Sequence, residues 1–292
     1  MAKPPAKVAP RSTSVAVKDD KPSYLVALEA KGPINTGDNF DNSDVAIPRI
    51  KLLQGTSKEC ESFNNAKPGV FWHTGLDQPL GEELRFIVCS RNKKYLLVAP
   101  LEDGQGILAR ADDHKTWDRT GKWNVKFKDS KKLEEWSIDD LDVVASGLDK
   151  WGTSRADNPD SPPAATLFYD YLVILPDYPE LGPAVLSLAR SAVKNAKKGL
   201  NDKIKIHLDN GRPMQAVVFM AKSTNDKNTS NQDFKNFQFV SDGFSSEEQY
   251  DTAKQYANSL VNFRVQNEVG EEDTEPGEGS APRKPGKSRD DI

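Results

Sequence analysis

Apolar and polar residues alternate along "EELRFIVCSRNKKYLLVAP" (residues 82–100), with a polar pause at Ser90–Lys94. Successive strand side chains point to opposite faces, so the pattern predicts two strands joined by a polar turn. Order is expected to begin near Val45 with "VAIPRIKLLQG", and "AKPGVFWHTG" places a Pro68–Gly69 turn before an aromatic strand. "GILARADDHKTWDRTGKW" starts as a strand and runs into a loop. "ATLFYDYLVILP" (165–176), rich in aromatic and β-branched residues, reads as a central strand. "KIKIHL" and "MQAVVFMAKS" form a predicted strand pair about the turn "DNGRP", and "FKNFQFVS" is a further strand.

Two segments carry a helical period instead. Over residues 183–200, Val185, Leu188, Ala189, Ala192, Val193, Ala196 and Leu200 fall on one side of a helix, while Arg190, Lys194, Lys197 and Lys198 form a stripe on the other. "SSEEQYDTAKQYANSLVNF" (245–263) opens with a Ser–x–Glu cap signal and spaces Tyr250, Ala253, Ala257, Leu260 and Val261 near helical intervals. Residues 112–163 are polar and acidic, too long for a simple connection, and are taken as an insertion with some helix of its own. Strands outnumber helices and do not alternate with them. The expected fold is therefore mainly β (α+β): an OB-like β-barrel with an inserted polar segment, an amphipathic helix between strands and a C-terminal helix.

Charge sharpens the boundaries. The whole chain of 292 residues carries a net charge of −4, so no global basic field marks a nucleic-acid binder. The Pro/Lys/Ala-rich segment 1–44 reads as a disordered basic arm, and 264–292 as a low-complexity acidic tail without core-forming residues. Residues 45–263 are left as one domain. Two cysteines in unrelated contexts suggest no disulfide framework, and no apolar run approaches the ~20 residues of a membrane span. A cytoplasmic location is the expectation.

Catalytic signatures do not emerge. His73, His114 and His207 have no partner at metal-ligand spacing, and no Gly-rich phosphate loop or nucleophile elbow occurs. Asp139, Asp140 and Asp142 cluster in "SIDDLD", where a solvated helix cap is the simpler reading. No metal, no cofactor and no enzymatic activity are expected.

Binding has positive support. Single strands are held by cations that track the backbone and by aromatic rings on which bases stack. Such residues interleave here: Arg85 and Phe86 precede Arg91, Lys93, Lys94 and Tyr95; Trp123, Lys126, Phe127 and Lys128 follow; then Phe234, Lys235 and Phe237. Taken singly, an aromatic on such a strand is core, as Trp72 and Phe168 are expected to be. The candidate nucleic-acid-binding set is Arg91, Lys93, Lys94, Tyr95, Lys126, Phe127, Lys128, Arg190, Lys194, Lys197 and Lys198. The acidic tail is placed to compete for that surface or to recruit partner proteins.

"IPRIKLLQGTSKECESFNNAKPGVFW" and "LGEELRFIVCSRNKKYLLVAP", with the later "PAVLSLARSAVKNAKKGLNDKI" and "SDGFSSEEQYDTAKQYANSL", resemble phage-encoded single-stranded DNA-binding proteins of replication and recombination. The resemblance spans roughly residues 45 to 263. It implies an OB-like fold, non-catalytic coating of single strands and a phage setting. Single-stranded DNA and, through the tail, replication or recombination proteins are then the expected partners, in phage replication, recombination or repair. The competing reading is a non-catalytic protein-interaction factor, such as a phage inhibitor of a host enzyme or a virion-associated protein. A DNA-processing enzyme is a third.

Overall fold

One 16-residue strand, β4 (Glu83–Val98), runs straight through the segment expected to turn at Ser90–Lys94. Its polar middle is where it changes neighbours. Glu83–Lys222 to Ile87–Val218 pairing joins it to β10 (Val217–Lys227), and Tyr95–Ala111 to Val98–Ile107 pairing joins it to β5 (Ile107–Ala111). Along the other edge, β8 (Ala165–Ile174) stays paired from Ile87 to Leu97. Those ladder hydrogen bonds satisfy the backbone whatever the side chains are, so polarity alone did not interrupt the strand.

The computed structural model describes residues 47–228 and 231–259. The expected basic arm and acidic tail lie outside them. Around β4 the sheet runs β11–β10–β4–β8–β9–β1–β2–β3, with β11 (Asp233–Phe244), β9 (Ala184–Ala189), β1 (Arg49–Leu52), β2 (Phe71–His73) and β3 (Gln78–Gly81). Pairing among these strands is antiparallel except between β1 and β9. The fold is mainly β: a curled, OB-like half-barrel sheet with a few helices. Across the gap left by the curl, the Gln54 side chain behaves like a strand residue. Its Nε2 donates to the Lys235 carbonyl at 3.0 Å and its Oε1 accepts from the Lys235 N–H at 2.8 Å. Phe71 and Phe237 meet beside it, ring centres 5.9 Å apart.

Each face of the sheet has its own core. Leu84, Phe86, Val88, Tyr171, Val173, Leu186, Leu188 and Phe219 form the inner face, packed against Val193, Ala196, Leu200 and Ile204. Those four come from a helical run made of α3 (Ser191–Asn195), a π-helical turn (Ala196–Asn201) and α4 (Asp202–Asp209). A Cβ on Gly199 would sit 3.2 Å from that of Phe239, a tight contact that glycine avoids where the π turn approaches β11. On the outer face, Ile87, Cys89, Leu172, Ile174, Val185 and Val218 pack against Ala253 of α5 (Glu247–Ser259). Ser246 and Gln249 cap α5 reciprocally: Ser246 Oγ accepts from the Gln249 N–H, and Gln249 Oε1 from the Ser246 N–H.

Three further expectations are corrected. The helix expected over 183–200 begins only at Ser191, because Ala184–Ala189 is β9, seated between β8 and β1 with Ala184, Val185, Leu186 and Leu188 fully buried. A strand buried on both faces is a continuous apolar run, which periodicity does not separate from a helix. "KIKIHL" is α4 rather than a strand; Ile204 is buried while Ile206 and Leu208 are exposed. The insertion is chiefly a hairpin, β6 (Gly121–Lys126) with β7 (Leu133–Ile138), plus one short helix, α2 (Val143–Ser146). Trp117, Val125, Trp136 and Ile138 give it a small core continuous with Leu97 and Ala165 of the sheet. Asp142 caps α2, accepting from the Ala145 N–H at 2.8 Å.

Candidate nucleic-acid interface

A β-bulge between Val88 and Ser90 decides where the charges of β4 go. One extra residue reverses the in–out alternation beyond it. Leu84, Phe86 and Val88 face the inner core, and after the bulge that face continues with Arg91, Lys93 and Tyr95. Opposite them on β8 stand Tyr171, Tyr169 and Leu167. The Arg91 guanidinium carbon lies 4.8 Å above the Tyr169 ring, and Lys93 Nζ lies 5.8 Å from the Tyr95 centroid.

Charges from two other elements converge there. Lys197 on the π turn and Arg91 both depress the pKa of Lys93, which burial lowers most; Asp149 partly opposes them. His114, held at φ +57° on the connection after β5, is likewise lowered first by burial and then by Lys93 and Lys115, with Arg91 adding to the effect and Asp113 opposing it. The neighbouring Asp113 is turned onto its own loop, accepting from the Lys115 and Thr116 N–H groups. Burial raises the pKa of Tyr95 and Tyr171; the Tyr171 hydroxyl donates to Asn201 Oδ1 at 2.8 Å, tying β8 to the π turn. Cations that disfavour one another's charged forms form a site that an anion relieves. Beside the charges, the Tyr95 ring is half-buried, while the Tyr169 ring is buried beneath the Arg91 guanidinium.

The other sequence-predicted residues are dispersed. Lys94 faces the outer side, with 5% of its side chain exposed, and its Nζ is paired with Asp170, which also accepts from Ser187 Oγ. Expected to contact phosphate, Lys94 is instead withdrawn from solvent: neighbouring strand residues face opposite ways, and the bulge gives the inner face to Lys93 and the outer to Lys94. Phe127 is half-buried, edge-on to Trp136 and stacked under Arg155, whose guanidinium carbon is 4.4 Å away. Arg155 is in turn gripped by both Asp129 oxygens at 2.7 Å. That makes Phe127 a packing residue of the insertion, with Lys126 and Lys128 exposed on either side. Nor is the stripe Arg190, Lys194, Lys197, Lys198 one row. Arg190 turns the chain from β9 into α3 with φ +51°, Lys194 is felt by Asp226 on β10, and Lys197 by Lys93 on β4. The π turn closes i→i+5 bonds and so rotates Lys197 and Lys198 away from the α-helical register. Arg85 is engaged by Asp242 and Asp177, and Trp72 and Phe168 are core as expected.

Tyr169 and Asp149 join the cluster without having been singled out in the sequence, and so does His114, weighed there only as a metal ligand. The only signal for Tyr169 was the alternation of "YDY" in a strand otherwise apolar.

The family model of the Pam3 phage gp34-like protein matches residues 17–266. The chain belongs to this phage family. Comparison with curated proteins and with solved structures yields no match. The family's phage setting agrees with the resemblance noted from the sequence. Among the described residues no group of three or more His, Cys, Asp or Glu side chains gathers as a metal site, and no helix is long and apolar enough to cross a membrane.

Proposed function

We propose that this protein binds single-stranded DNA without sequence preference, as a non-catalytic factor in phage DNA replication, recombination or repair. The observation that carries the reading is the convergence of Arg91, Lys93 and Lys197 on one face of the curled sheet, beside the half-buried Tyr95 ring. Cations from separate elements track a phosphate backbone, and an accessible ring beside them accepts a base of any identity. The sheet face of an OB-like fold is wide enough to admit an extended strand and too open to enclose a small molecule. Titration of fluorescent oligothymidylate at two salt concentrations tests it: binding that weakens steeply with salt is expected, and no binding at low salt rejects it.

One observation favours the protein-interaction reading instead. Phe244 is exposed with its ring centre 6.2 Å from that of His207 and the Arg212 guanidinium over it, and Ile206 and Leu208 of α4 are exposed as well. An apolar patch of this kind suits a protein partner better than phosphate. Absence of oligonucleotide binding together with self-association lost in Phe244→Ser would support that alternative.

A further inference from the structure

Trp151 is 69% exposed, the most exposed of the large apolar residues described. Trp72, Trp117 and Trp136 are buried and Trp123 is half-buried, so the chain keeps its other described indoles out of water and presents this one. A tryptophan on a floppy loop would mean little. This loop is pinned at nearly every residue. The Leu148 carbonyl accepts from the Ala165 N–H at the start of β8, and Thr153 Oγ1 donates to the Lys150 carbonyl at 2.6 Å, lies 3.1 Å from the Leu148 carbonyl and accepts from the Ala164 N–H. The Gly152 N–H donates to the Ser161 carbonyl at 2.7 Å, and Trp136 Nε1 donates to the Ser154 carbonyl. Gly152 has φ +82°, and a Cβ there would lie 2.8 Å from the Pro159 carbonyl oxygen; the residue after the tryptophan must be glycine for the loop to close.

Leu148, three residues before Trp151, packs in the same cluster as Tyr95, and the carboxylate of Asp149, the next residue, opposes the lowering of the Lys93 pKa. The rigid loop that carries the indole therefore borders the cationic face. Nothing in the described protein packs over it. Holding a large flat ring in water at a fixed place forgoes the gain from burial, and a ligand that covers it recovers that gain with little loss of rotamer freedom.

We propose that Trp151 is a base-stacking residue: it receives a nucleobase of the strand whose phosphates lie against Arg91, Lys93 and Lys197. The inference rests on the single-strand reading above and adds to it a specific base contact outside the sheet. Asp149 then acts as the boundary of the phosphate path, since a carboxylate beside Lys93 repels phosphate and leaves the base side of the strand turned toward the indole.

The experiment pairs Trp151→Ala and Trp151→Phe with two probes, an oligothymidylate and an abasic deoxyribose-phosphate oligomer of equal length. Wild type is expected to quench its tryptophan fluorescence on binding oligothymidylate. Trp151→Ala should lose that quench and about tenfold in affinity, the scale of one stacked base. Trp151→Phe should retain most of the affinity. On the abasic oligomer, Trp151→Ala should bind as wild type does, because phosphate contacts are untouched. Equal losses on both oligomers, or no loss on oligothymidylate, overturn the stacking role. Lys93→Gln run in parallel separates the two ideas: if it weakens both oligomers while Trp151→Ala changes neither, single-strand binding stands and the stacking contact falls. If wild type binds neither oligomer, both fall together. Melting temperature serves as the folding control, and an exposed side chain should leave it unchanged.

Discussion

Lys94 and Asp170 form an ion pair from which water is almost wholly excluded, one residue along the strand from Lys93, which faces the opposite side. The bulge at Cys89 produces this division. It assigns one lysine of "KK" to structure and leaves its neighbour beside Arg91 and Lys197. Removing one member of a buried pair strands the other, so Lys94→Met should destabilise the protein by about 3–5 kcal/mol in urea denaturation. Adding Asp170→Leu should recover a large part of that loss. Oligonucleotide affinity of the folded double variant should match wild type, since Lys94 does not reach the inner face.

Salt dependence distinguishes the lysines by location. Replacing Lys93 and Lys197 together by Gln should flatten the log–log salt slope for single strands by about 1.4, two contacts at roughly 0.7 each. Lys194→Gln with Lys126→Gln removes the same formal charge from positions that the cluster does not include, and should leave the slope nearly unchanged. An equal effect from both pairs would mean that net charge, and not this face, governs binding.

Closure of the curl depends on an amide that both donates and accepts. Gln54→Glu keeps shape but cannot donate to the Lys235 carbonyl, and at neutral pH places a carboxylate against it. A loss of about 2 kcal/mol is expected, from one lost hydrogen bond and a carbonyl left facing the carboxylate, while the Lys235 N–H keeps its acceptor. Hydrogen exchange at the Lys235 amide should accelerate in Gln54→Ala, whereas the amides of β8 should be unaffected.

Burial pushes the Cys89 thiol up to about 12, while Cys60 lies near the surface on α1 (Lys58–Ser62). The thiolate is the reactive form. Iodoacetamide at pH 8 should therefore modify Cys60 and spare Cys89 until denaturant is added, as read by intact-mass and peptide mass spectrometry.

Acid should weaken the fold through His73. Its ring is buried, with neither nitrogen paired, and burial depresses its pKa below 6.5. A lowered folded pKa means that the unfolded chain binds protons first. This contribution to stability is complete above about 6.5, declines as the unfolded chain protonates below that value, and is lost by the time pH passes the folded pKa. The urea midpoint should drop between pH 7.5 and pH 5, and His73→Leu should reduce that drop.

Several elements were legible in the sequence for direct reasons. The aromatic and β-branched run of β8 belongs to a central strand, "FKNFQFVS" lies within β11, and the Ser-led amphipathic segment from Ser245 holds α5. Each combines composition with local chemistry strong enough to act alone, as the Ser246–Gln249 cap does. Mainly β character followed from the same runs. The basic cluster proposed as a binding face was half legible: residue types and rough location came from the interleaving of lysine with aromatic positions, but not the membership of the cluster.

Pairing and parity settled the rest, and neither is a local property. Whether "SRNKK" turns or continues depends on β8 lying alongside to take its backbone hydrogen bonds. Which lysine faces Tyr169 depends on one extra residue in the ladder, since period-two alternation reverses with every bulge. Whether Ala184–Ala189 is strand or helix depends on β1 and β8 burying both of its faces. The amino-acid order determined that these segments would be apolar, basic or aromatic; the partners brought up from far along the chain decided which way each side chain points.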